Sequence, residues 1–241
     1  MTQTEWLGCN DSVPMVNFLE GKMSERKLRL FTCACCRRVE HLLRYPRSKR
    51  ALQIAEQFAE GAVSAEERQR ASRSAKSALY AFRVPHNGMS RAADAVCSAL
   101  QQSALHAARD TPGTVAGAVA DNAVWKNFPP RCQDARDQAF SAAWHKAAAA
   151  EMSELIVLLR DIVGDPWGAV SIKPSWLHWK DGCVGKIAQT IYEEQAFERL
   201  PILADALEEA GCDDADILTH CRSAGRHVLG CWVLDLLLGK S

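Results

Sequence analysis

The 241-residue chain has no net charge: 29 lysines and arginines stand against 29 aspartates and glutamates. Bulk electrostatics therefore give no reason to expect a nucleic-acid or membrane partner. No apolar run approaches the roughly twenty residues that cross a bilayer. The apolar tail Val228 to Leu238 is short and carries Asp235. The opening MTQTEW lacks the basic and apolar regions of an export signal, so the expectation is a soluble, cytoplasmic protein. No HExxH, GxSxG or GxGxxG occurs, which removes the usual hydrolase and dinucleotide readings. Gly182 to Lys186 is too short for a phosphate loop, and Ile187 stands where a Ser or Thr is required. No long segment alternates with the period of a strand.

What the chain does have is helical periodicity. In Ser24 to Leu43, Leu28, Phe31, Cys35, Val39 and Leu42 recur at steps of three and four, and Leu30 and Ala34 widen that face. This predicts a central helix with neighbours on several sides, N-capped by Ser24. Ser48 to Gly61 reads as a helix closed by glycine. Ser64 with Glu67 reads as a capping box opening an exposed helix. Ser90 to Arg109 and Gln133 to Val163 read as longer helices. Further segments are expected over Cys183 to Leu200, Pro201 to Ala210, Asp213 to Cys221 and His227 to Leu238. Thr111 to Gly117 (TPGTVAG) and Asn127 to Arg131 (NFPPR) are the candidate breaks. Residues 111–131 are thus a soft boundary within what reads as one all-α, multi-helix globular domain. Residues 164–182 differ in kind: with Trp167, Trp176, Trp179 and several Gly and Pro they predict an irregular, aromatic-anchored loop.

The two ends, EWLGCNDSVPMVNFLEGKMSERKLRLFTCACCRRVEHLL and IAQTIYEEQAFERLPILADALEEAGCDDADILTHCRSAGRHVLGCWVLDLLLGK, resemble a paralogous family of uncharacterised bacterial proteins of the planctomycete type. That resemblance implies no function. LADALEEAGCDDADIL also resembles a segment of the short domain that accompanies repeat proteins in such genomes, which implies adaptor work by analogy alone.

Ten cysteines are many for a chain with no export signal, and most are expected to be small buried hydrophobes. The expectation is therefore that no metal or other cofactor is bound, and two clusters carry chemistry only as alternatives. Cys212, His220, Cys221, His227 and Cys231 offer zinc ligands, with His227 and Cys231 four apart on one helical face, although the tight C-x2-C pair is missing. Cys33, Cys35 and Cys36 lie beside Arg37 and Arg38, cations that lower a thiol pKa and would suit redox chemistry.

Charge is unevenly distributed. Residues 22–50 hold ten basic and two acidic residues; residues 187–221 hold nine acidic residues and only Arg199. These segments are expected to pair with each other through Arg37 and Arg38. Otherwise the basic one is free for an outside partner, including nucleic acid. The leading functional expectation is a non-enzymatic protein-interaction module using Trp167, Trp176, Trp179, Arg37 and Arg38. A cysteine-based redox protein, a zinc-dependent regulator and a nucleic-acid-associated factor are its alternatives.

Overall fold

The structure, a computed structural model, describes residues 1–82, 87–127, 136–168 and 170–240. The fold is all-α, with no strand among the described residues. Thirteen α-helices are described: α1 (Gln3–Gly8), α2 (Ser12–Phe18), α3 (Glu25–Arg38), α4 (Pro46–Ala59), α5 (Ala65–Leu79), α6 (Gly88–Ala99), α7 (Ala104–Asn127), α8 (Arg136–Val163), α9 (Pro174–His178), α10 (Cys183–Glu194), α11 (Leu200–Glu209), α12 (Ala215–Arg222) and α13 (Trp232–Leu238). None of them is long and apolar enough to cross a membrane. Contacts divide the chain into two compact units, Met1–Ile156 and Val157–Ser241. The division falls inside α8, not at residues 111–131.

In the first unit α3 is central, packing against α4, α6 and α7. Ser24 caps it, its Oγ accepting from the Lys27 N–H at 3.3 Å. Leu28 through Cys36 are all buried. The helix stops at Arg38, short of the expected Leu43, and a 3-10 turn over Glu40–Leu42 follows. The Ser64 capping box is present as expected, and α5 buries only Ala75 and Ala78.

Two expectations about breaks are corrected. Ser90 to Arg109 is not one helix: α6 ends at Ala99 and α7 starts at Ala104. The carbonyls of the connection between α6 and α7 are taken by arginines from elsewhere. Arg29 donates to Gln101 O at 3.0 Å and to Gln102 O at 2.7 Å, and Arg68 donates to Leu100 O. Cations at a helix C-terminus both satisfy orphan carbonyls and complement the dipole. Conversely TPGTVAG is no break, since α7 runs through Pro112. Its last glycine, like Gly88 of α6, sits at a close approach between α6 and α7. A Cβ on Gly88 would come within 2.7 Å of the Ala118 carbonyl, and one on Gly117 within 3.2 Å of the Arg91 guanidinium. Most of NFPPR lies outside the described residues.

The second unit closes around Trp176, Val184, Ile191, Leu203, Leu207, Ile217 and Leu234, all buried. Asp214 caps α12, accepting from the Asp216 and Ile217 N–H groups at 3.0 and 3.1 Å. The stretch 164–182 is largely irregular, but it contains the short helix α9, which the loop expectation does not include. Pro174 at the first turn starts that helix, because its fixed φ and missing N–H suit the position.

Charge is resolved within each unit. Arg37 pairs with Glu56 at 2.5 Å and Glu40 at 2.9 Å. Arg38 pairs with Glu151, its Nη2–Oε2 distance being 2.8 Å, and with Glu154 at 3.3 Å. The acidic segment finds partners in its own unit: Lys173–Asp213, Lys180–Glu209, and Arg222 with Asp205 and Glu208. The expected pairing of Arg37 and Arg38 with residues 187–221 is therefore replaced by nearer carboxylates on α4 and α8. Glu151 is buried and Glu154 is not. Glu151→Ala should leave the partly buried Arg38 charge without its closest partner and cost about 3 kcal/mol. Glu154→Ala should cost at most about 1 kcal/mol. Urea unfolding of the two variants measures the difference.

Candidate metal centre

Asp161, His220, His227 and Cys231 bring one ligand atom each to a common point, all within 4.8 Å of one another. Four local structures place them. Asp161 sits in the last turn of α8, inside the apolar run of Leu158, Leu159 and Ile162. His220 lies near the end of α12. His227 stands in the irregular connection that follows. Cys231 is the residue that caps α13. The expected helix over His227 to Leu238 thus begins only at Trp232, and helical spacing is not what joins His227 to Cys231. A turn brings them together, with the Cys231 N–H donating to Val228 O at 3.0 Å.

Asp161 is the hub. Its Oδ1 lies 2.6 Å from His227 Nδ1 and 3.2 Å from His220 Nε2. Its Oδ2 accepts the Val228 N–H at 3.0 Å. His220 Nε2 is also 3.2 Å from Cys231 Sγ. The two imidazole rings meet edge-on with centroids 4.8 Å apart, and Trp232 covers His220 at 5.2 Å. Beyond the cluster, His227 Nε2 faces Ser223 Oγ at 3.3 Å. Close by, a Cβ on Gly164 would come within 2.8 Å of the Trp232 ring, so only glycine fits there.

Burial pushes the Asp161 carboxyl up, but hydrogen bonds from His220 and His227 outweigh it and hold it below the usual carboxylate range. Burial pushes His227 down, yet the Asp161 carboxylate lifts it above its ordinary value. The Cys231 thiol is raised strongly, first by burial and then by the charge of Asp161. A thiol so raised is a weak nucleophile, whereas a cation at the shared point would favour its thiolate.

The arrangement therefore gathers three of the five expected ligands and adds one that the sequence reading misses. Cys212 and Cys221 are not in it. Both are buried in the core of the second unit, where burial raises the Cys212 thiol and pushes Cys221 up to about 12. Asp161 escapes notice because it lies far upstream, in a helix that reads as pure packing. Its one signal is a carboxylate set among large apolar neighbours.

The other expected sites resolve differently. Cys33, Cys35 and Cys36 are buried in the middle of α3, and burial drives each thiol well above its ordinary value. Arg37 and Arg38, expected to activate those thiols, are engaged by carboxylates. Nine of the ten cysteines are free; Cys132 lies outside the described residues. Among the tryptophans, Trp176 is 2% exposed and belongs to the core, which corrects its expected role as a partner anchor. Trp179 is half-buried against the same core, with Lys180 Nζ 4.1 Å over its ring. Trp167 alone of the three is exposed, at 41%.

No family model matches the chain, and no curated protein or solved structure matches it either.

Trp176→Ala should destabilise the second unit by about 3–5 kcal/mol, the cost of emptying a buried indole site. Trp167→Ala should change stability by less than about 1 kcal/mol. Denaturant titration of both variants, followed by circular dichroism, separates the anchor of the core from the exposed ring.

Proposed function

We propose that the chain is a non-enzymatic interaction module whose second unit is closed by one structural zinc ion held by Asp161, His220, His227 and Cys231. The observation that carries this reading is the convergence of four ligand atoms from separate stretches onto one point. Two imidazoles, a thiolate and a carboxylate form a donor set that suits zinc. Bonds of about 2.0–2.3 Å place the ligands of a tetrahedral ion roughly 3.3–3.8 Å apart. Two of the separations are 3.2 Å. The 2.6 Å contact between His227 and Asp161 would have to open by roughly 1 Å.

Outer partners support the geometry. The Val228 N–H occupies Asp161 Oδ2 and leaves Oδ1 for the ion, while Ser223 orients the far nitrogen of His227. Four protein ligands complete a tetrahedron and leave no position for a reacting water, which is the character of a structural site. Trp167 and Ile202 remain as exposed apolar side chains for a protein partner. A reducing cytoplasm would keep Cys231 available as a ligand.

The purified protein should carry one zinc per chain by elemental analysis. Chelation should lower the melting temperature by at least about 5 °C, because the binding energy of a structural site is folding energy. Asp161→Ala and His227→Ala should lose the metal, and Cys212→Ala should keep it. Protein that is metal-free, ignores added zinc and ignores chelator would sink the reading.

One alignment favours a second reading. Ser223 Oγ, His227 and Asp161 follow one another in the order hydroxyl, imidazole, carboxylate, as in an acyl-transfer triad. The hydroxyl donates to His220 O at 2.9 Å, so it would have to turn before His227 could take its proton. A triad and a zinc site use the same atoms and exclude each other. A fluorophosphonate probe should label Ser223 only if the triad is the working arrangement; absence of labelling removes it.

A further inference from the structure

The basic segment 22–50 does not act as a block. Arg26 pairs with Glu60 and Arg29 with backbone carbonyls, while Arg37 and Arg38 are held by carboxylates. Beyond them Arg44, Arg47, Lys49 and Arg50 are exposed, and the sequence has no acidic residue between Glu40 and Glu56. The neighbouring helix α5 is similar, with no acidic residue between Glu67 and Asp94 and exposed cations at Arg73 and Lys76.

The fold joins these stretches. The α4–α5 pair is a hairpin, and Arg47 Nη1 donates to Ser77 Oγ at 3.3 Å, tying the start of α4 to the end of α5. Arg50 lies one turn on from Arg47, and Arg73 lies one turn back from Ser77, so both follow the same seam. Aromatic rings sit among the cations. The Arg44 and Arg47 guanidiniums lie 5.9 and 5.2 Å from the centroid of Tyr45, and Phe82 meets Tyr45 edge-on at 5.4 Å. Tyr80, one turn beyond Ser77, is 82% exposed. At that exposure the Tyr80 ring presents a face to solvent beside exposed cations.

We infer that this end of the α4–α5 hairpin binds single-stranded nucleic acid, with Arg44, Arg47, Arg50 and Arg73 on phosphates and Tyr80 stacking on a base. Cations tracking a backbone beside an exposed aromatic are the two parts of a single-strand surface. A duplex would engage the cations but present no free base face to Tyr80. The neutral total charge does not oppose this, because the cations are concentrated locally, with no acidic residue between Glu40 and Glu56 or between Glu67 and Asp94. The surface belongs wholly to the first unit and is independent of the zinc reading.

Fluorescence polarisation of a labelled single-stranded oligonucleotide with the full chain tests the inference. Binding is expected at low salt and should weaken linearly in a plot of log affinity against log salt. Arg47→Glu, Arg50→Glu and Arg73→Glu together should abolish it, with the melting temperature confirming that the variant folds. Arg50→Glu alone, at an exposed position, should flatten the salt slope by about 0.7 for each phosphate released. Tyr80→Ala should weaken binding about five-fold or more, the worth of one base stack. The inference is overturned by absence of binding at low salt or by equal binding of the charge-reversed variant. It is equally overturned by Tyr80→Ala binding like the parent, or by capture on phosphatidylserine vesicles without oligonucleotide binding.

Discussion

A single carboxylate buried among hydrocarbon dictates the arrangement of the second unit's carboxy-terminal half. Asp161 stands in the last turn of α8 beside Leu158, Leu159 and Ile162. A charge in that setting is tolerated only when hydrogen-bonded and paired. His220, His227 and the Val228 N–H supply those partners, and to do so the chain between α12 and α13 must return to the end of α8. The irregular course of residues 223–230 follows from that requirement. Cys231 arrives at the cluster because it caps α13, the next helix along.

The first unit applies the same rule with the opposite sign. Arg29, almost fully buried, reaches carbonyls of the connection between α6 and α7, and Arg38 reaches the buried Glu151 of α8. Burial lowers the Arg29 guanidinium's affinity for its proton while the Glu25 carboxylate raises it, and the first effect prevails. Small residues set the spacing around these contacts. Gly88 lets α6 approach the Ala118 carbonyl of α7, a distance that any side chain would enlarge. Basic residues left over from this internal pairing gather at the far end of the α4–α5 hairpin, beside Tyr45, Phe82 and Tyr80.

Several features are legible in the residues alone. The all-α class, the central position of α3, the caps at Ser24 and Ser64, and the burial of most cysteines depend on short-range spacing and local hydrogen bonds. The expectations that fail share one cause. Pro112 reads as a break because its missing N–H weakens an isolated helix, yet α7 runs through it and packs along α3 and α6. Leu100 reads as mid-helix because nothing local announces that distant arginines will accommodate a terminus there. Trp176 reads as an anchor for partners because composition does not distinguish a ring turned inward from one turned outward.

The sequence by itself determined the helical class, the positions of most helices and three of the four metal-ligand candidates, since these follow from residue periodicity and donor chemistry. Only the tertiary structure decided that Asp161 completes the cluster and that Cys212 and Cys221 stand apart from it. It also decided which arginines have internal partners. The physical reason is distance: ligand and ion-pair geometry depends on where atoms meet in space, and residues far apart along the chain carry no local signal of that meeting.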